Sequence, residues 1–183
     1  MEIDRISACA ALVEQGDPDR FLAAMASPLA ARAALFTLYA FNLELARAPW
    51  VTREPLIARM RLQFWRDVVA MEETAAHVVA APLQGLIRAG LDAAPLNAMI
   101  EAREAEIGAA PFADEAALWA YLEGTAGGLM RASVLALGGA DSPAAGDFGA
   151  AQGLANYLLA VPALVAAGRH PLPDGRPEAV AAL

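Results

Sequence analysis

The chemistry available to this chain rests on carboxylates and guanidinium groups, and they gather in a few places. Glu101, Arg103, Glu104 and Glu106 are dense enough to suggest acid–base work or a metal, with 101 and 104 on one helix face and 103 and 106 on another. A solvated charged face is the simpler reading of that run. Arg47, Arg53, Arg59, Arg61 and Arg66 form the densest basic stretch, and guanidinium groups grip phosphate oxygens bidentately. Glu44, Asp67, Glu72 and Glu73 lie close by, so ordinary surface pairing explains most of it. Glu123 stands among Trp119, Tyr121 and Leu122; a carboxylate buried there needs a partner, and Arg131 is two turns on. The two histidines, His77 and His170, are too few for a His-rich metal site, and Cys9 alone makes no internal disulfide. His77 is expected at a helix start in a structural role. No P-loop, H-E-x-x-H, C-x-x-C or G-x-S-x-G occurs. Gly124-Thr125-Ala126-Gly127-Gly128 follows no strand and interrupts a helical pattern, so its small residues are expected to admit a neighbouring backbone.

The elements that must position these groups are helices. Hydrophobic residues make up 58% of the 183 and charged ones 19%, a balance that buries a core and excludes disorder. Apolar spacings of three and four predict helices near 2–15, 18–25, 28–47, 54–74, 77–89, 93–107, 114–138 and 144–167, in one domain over 1–183. Ser27-Pro28, Thr52 before Glu54-Pro55, and Ser142-Pro143 each offer a capping hydroxyl beside a first-turn proline, and Gly90 and Gly108 are expected helix stops. From Phe148 to Gly168 no residue is charged. Gln152, Asn156 and Pro162 interrupt this run, so a buried core helix is expected, with peripheral membrane contact left open. After a loop at 169–175, Pro177 opens a helix with too few residues before Leu183 to stand alone, so further helices are expected to be missing. The formal charge of −8 excludes a nucleic-acid partner. Acids near the N-terminus, where a signal peptide carries bases, favour a cytoplasmic chain, with contact at the inner membrane left open.

Four segments together resemble the squalene/phytoene synthase family. Ala34-Leu35-Phe36-Thr37-Leu38-Tyr39-Ala40-Phe41-Asn42 is similar to its "ALYAF" helix, and Arg61-Leu62-Gln63-Phe64-Trp65-Arg66-Asp67 to its "WWR(D/E)" element. Residues Tyr121 to Met130 resemble the "Y…AGxVG" helix, and Gly168-Arg169-His170-Pro171-Leu172-Pro173 the "GRxYLP" turn. The resemblance spans about 17–177 and implies an all-α, isoprenoid-synthase-like (trans-prenyltransferase) bundle around a central cavity. In active members of that family, two Asp-rich motifs on facing helices hold Mg²⁺, which grips a prenyl diphosphate. At the matching places this chain has Ala46 and Trp50, then Ala160-Val161-Pro162-Ala163-Leu164, and Glu44 is the one nearby acid in the first helix. Without paired acidic oxygens, Mg²⁺ has no cradle.

Ala40-Phe41-Asn42-Leu43-Glu44-Leu45-Ala46 and Met60-Arg61-Leu62-Gln63-Phe64-Trp65 are similar to a divergent branch of the family whose eukaryotic members are mitochondrial assembly factors for respiratory complex I. The expectation is therefore a non-catalytic protein without cofactor that helps assemble a respiratory complex or binds an isoprenoid or other lipid. One alternative is a prenyl-diphosphate transferase acting on farnesyl or geranylgeranyl diphosphate with Mg²⁺ on Glu44, Glu101, Glu104 and Glu123. Another is a packed interaction module. A surviving ligand site is expected among Tyr39, Asn42, Glu44, Arg47, Gln63, Arg66 and Asn156.

Overall fold

The computed structural model describes residues 2–52, 54–72, 76–108 and 110–180, and every regular element among them is helical. In chain order these are α1 (Glu2–Gly16), α2 (Pro18–Ala26), α3 (Leu29–Arg47), α4 (Pro55–Val69), α5 (Ala80–Arg88) and α6 (Ala94–Ala102). A 3₁₀ turn (Arg103–Glu106) extends α6; then come α7 (Glu115–Leu122), a π turn (Glu123–Gly127), α8 (Gly128–Ala136), α9 (Pro143–Ala166) and α10 (Pro177–Val180).

Side-chain caps set the starts of α2, α7 and α9. Asp17 accepts from the Arg20 amide at 3.1 Å, Asp114 from Ala117 at 2.8 Å, and Ser142 from Ala145 at 3.3 Å, each satisfying an orphan donor of the first turn. Two expected caps act otherwise. The Ser27 hydroxyl donates back to the Ala23 carbonyl at 2.9 Å, and Thr52 Oγ1 takes the Glu54 amide in a local turn. Gly90 and Gly108 do close helical segments, at φ +108° and +103°, where a Cβ would be strained.

Several expected boundaries are corrected. The helix expected over 54–74 ends at Val69 because Met71 turns left-handed, at φ 67°. The one expected at 77 begins at Ala80, since His77 Nδ1 accepts from the Val79 amide and holds a turn ahead of it. The helix over 93–107 tightens into its 3₁₀ turn at Arg103, and the one over 114–138 is widened by the π turn. Arg53, Glu73 and Thr74 lie outside the described residues.

α3 runs through the centre. Its Leu38, Phe41 and Leu45 are fully buried, against Val13 of α1, Leu62 and Val68 of α4, and Leu96 and Ile100 of α6 in one core. Each such side chain contributes about 1.5–3 kcal/mol of burial. Trp65 stands edge-on to Phe41 at 5.3 Å and to His77 at 5.0 Å, which gives His77 a packing role. Cys9 lies in this core, and burial pushes its thiol up to about 11. A smaller core joins Leu118, Tyr121, Leu122 and Ala150, with Phe112 and Tyr157 packed against it.

The π turn is clamped between α6 and α9. A methyl at Gly124 would sit 2.6 Å from the Ala102 Cβ, and one at Gly149 would sit 2.6 Å from the Ala126 carbonyl oxygen. The glycines between 124 and 128 therefore serve close packing, as their types imply.

The expectation that 148–168 forms a buried core helix is overturned. Within α9 only Gly149, Ala150 and Gly153 are buried, while Phe148 is 64% exposed and Leu159 81%. The reason is geometric: the helix is buried only along a stripe of small residues, with Leu154 and Tyr157 half-buried beside it and Phe148, Leu159 and Val165 left outside.

Candidate functional site

Two hollows open between α2–α3 and α9. One, of about 530 Å³, is bordered by Asp17, Arg20, Tyr39, Leu129, Gln152 and Asn156. The other, of about 210 Å³, is bordered by Asn42, Arg103, Tyr121, Thr125, Tyr157 and Ala160. Both have Arg20, Ala126 and Asn156 in their walls, so they read as one cleft floored by the π turn.

The outer part is organised by the α1–α2 break. The Asp17 that caps α2 also pairs with the Arg20 guanidinium, which lies 5.9 Å over the Tyr39 ring. Burial raises the Tyr39 phenol above its ordinary value, against the pull of Arg20.

The inner part is a buried polar network that sequence reasoning placed on the surface. Arg103 and Glu106 are an ion pair whose side chains are 11% and 15% exposed. Arg103 Nη1 also donates to the Tyr121 hydroxyl at 2.8 Å, and Nη2 to Asn42 Oδ1 at 3.5 Å. Tyr121 donates to Glu106 Oε1 at 2.5 Å, and Trp50 Nε1 to Glu106 Oε2 at 3.0 Å. Arg169 closes the ring: it stacks 4.6 Å over Trp50 and donates to the Glu106 backbone carbonyl at 3.2 Å. Burial holds the Tyr121 hydroxyl far above its usual range, and burial with the nearby Glu106 charge pushes Tyr157 up to about 12. Both phenols therefore act as neutral donors at physiological pH.

The 3₁₀ turn explains the inward aim. At three residues per turn, 103 and 106 eclipse, so both chains leave the same side. The spacing was visible in the sequence, but the tighter winding and the buried Tyr121 partner were not.

Of the expected ligand residues, Tyr39, Asn42 and Asn156 border the cleft. The other four border neither hollow. Glu44 accepts from Arg47 at 3.3 Å and lies 3.7 Å from His77 Nε2. Gln63 donates to Asp67 at 2.6 Å on the outer face of α4, and Arg66 donates to Glu104 at 2.9 Å. Glu123 is exposed, not partly buried, and Arg131 pairs with Asp141 instead of with it.

The metal site implied by the sequence resemblance needs carboxylates from both walls. α3 offers Glu44, which is already paired, and residues 160–164 of α9 carry no carboxylate. Of the acids in the cleft wall, Asp17 pairs with Arg20 and Asp19 is exposed, and Glu106 behind the inner part is engaged by Arg103, Tyr121 and Trp50. Glu104 is held by Arg66 and Arg59, and Glu101 is exposed. Among the described residues no three His, Cys, Asp or Glu side chains could hold an ion together. This donor set does not fit Mg²⁺. The cations of the cleft are paired as well, Arg20 with Asp17 and Arg103 with Glu106, and apolar Leu129, Met130 and Ala160 complete its walls.

A family profile described as squalene/phytoene synthase matches residues 13–176. The Bos taurus protein named NADH dehydrogenase (ubiquinone) complex I, assembly factor 6 is 30% identical over 161 residues, covering 84% of this chain and 48% of that protein. The Homo sapiens protein of the same name is 29% identical over 161 residues with the same shares covered. The Drosophila melanogaster homolog is 42% identical over 62 residues, 33% of this chain and 19% of its own length. The chain thus spans about half the length of the mammalian relatives it matches. No solved structure matches it significantly.

Proposed function

The chain belongs to the squalene/phytoene synthase family, and from that premise we propose that it is a non-catalytic member that serves the assembly of a membrane respiratory complex, with its cleft a seat for an isoprenoid-like or other lipid. The observation that carries this reading is the charge of the cleft. Where prenyl transfer needs two facing sets of acidic oxygens, the inner wall has Arg103 neutralising Glu106, and α9 brings Ala160, Val161 and Pro162. Diphosphate departure without a metal leaves its negative charge uncompensated, a barrier no pair of tyrosines removes.

The relatives support the assembly half of the proposal through their names, each a complex I assembly factor. The family match over residues 13–176 includes the helices that build the cleft. Arg20, where the two hollows meet, and Arg103 in the inner one support the lipid half, since each guanidinium carries further donors for an acidic headgroup.

Deleting the gene in its own organism tests the assembly role. Native gels and NADH oxidation by isolated membranes are expected to show less assembled NADH dehydrogenase, restored by the wild-type gene. Full levels of active complex in the deletion strain would refute it.

A further inference from the structure

α4 is apolar on two sides, and only one of them is needed by the fold. Its inner side is made of Ala58, Leu62, Trp65, Val68 and Val69, all buried. At 100° per residue, Leu56, Met60 and Ile57 form a second stripe facing outward, with Arg59 on one flank and Arg61 on the other. Leu56 is 67% exposed and Met60 64%, and the preceding corner leaves Val51 exposed as well. Arg61 has no acidic partner among the described residues, and Arg59 reaches only Glu104, at 3.7 Å, which Arg66 already holds.

We propose that this outward stripe of α4, with Arg59 and Arg61 beside it, is a docking surface for an anionic phospholipid bilayer. Charge selects the occupant. Arg59 and Arg61 flank the stripe while Arg66 is held by Glu104, in a chain whose formal charge is −8. A bilayer of acidic headgroups therefore repels most of the molecule and attracts this helix, which fixes one orientation. The side-chain types fit the same surface. Leu56, Ile57 and Met60 enter the boundary between headgroups and acyl chains, while the arginine stems lie along it with their guanidinium groups on phosphate. The inference stands apart from the assembly proposal, because bilayer binding and complex assembly are read in separate experiments.

Flotation of the purified protein with vesicles tests it. With phosphatidylcholine containing about a third phosphatidylglycerol the protein is expected to float, to release as salt rises, and to stay behind with phosphatidylcholine alone. Arg59→Gln with Arg61→Gln is expected to weaken binding about thirty-fold, roughly five-fold per charge. Leu56→Gln with Met60→Gln is expected to abolish it, and Phe148→Gln on α9 to leave it unchanged. All these positions are exposed, so circular dichroism should report intact folds. No flotation with the anionic vesicles, equal binding to neutral ones, or wild-type binding by both double variants would overturn the proposal.

Discussion

Replacing Arg103 with methionine will destabilise the protein by about 3 kcal/mol, the cost of leaving a buried carboxylate without its cation. Glu106 would keep the Trp50 and Tyr121 hydrogen bonds but lose its charge partner, and Asn42 would lose a donor. The companion change Glu106→Gln strands the Arg103 charge in the same way. Because both act on one network, the double variant is expected to lose clearly less than the sum of the two. Urea unfolding of the four proteins in the cycle reads this directly. A loss under about 1 kcal/mol for Arg103→Met would show the pair to be solvated like an ordinary surface bridge.

The second large effect comes from a single methyl. Gly149→Ala places a Cβ 2.6 Å from the Ala126 carbonyl oxygen, 2.7 Å from the Met130 Cβ and 2.9 Å from the Gly127 Cα. Two of these atoms are backbone, so α9 must move away from the π turn, at a cost of about 2–3 kcal/mol. Gly85 in α5 is the counterpart, with nothing within 4 Å of its would-be Cβ. Gly85→Ala is expected to stabilise by about 0.5–1 kcal/mol through the unfolded chain's lost entropy. Thermal unfolding should therefore move in opposite directions for the same chemical change. A neutral Gly149→Ala would mean that α9 is not held against the turn.

Much of the helix order was legible because punctuation is local. Pro143 after Ser142 starts α9, and Gly90 ends α5 at a positive φ, each through atoms within a turn of the residue itself. The segments with Tyr39 and Asn42 point to the α3 wall of the cleft for a similar reason: their pattern belongs to one helix. What stayed hidden depends on partners far along the chain. Arg103 and Glu106 read as a solvated run until Tyr121, Trp50 and Arg169 fold over them. α9 read as a core helix because apolar composition reports what a helix avoids, whereas its neighbours bury only its small-residue stripe. Arg47 and Gln63 read as ligand groups, yet each meets an acid on its own helix, Glu44 and Asp67.

The central claim is that this cleft retains a family scaffold without its diphosphate-ionising chemistry. Incubation with farnesyl or geranylgeranyl diphosphate and millimolar Mg²⁺, followed by product extraction and diphosphate release, tests it most directly. The account predicts release no faster than in buffer, with no condensed hydrocarbon formed. Steady turnover that depends on Mg²⁺ would contradict it.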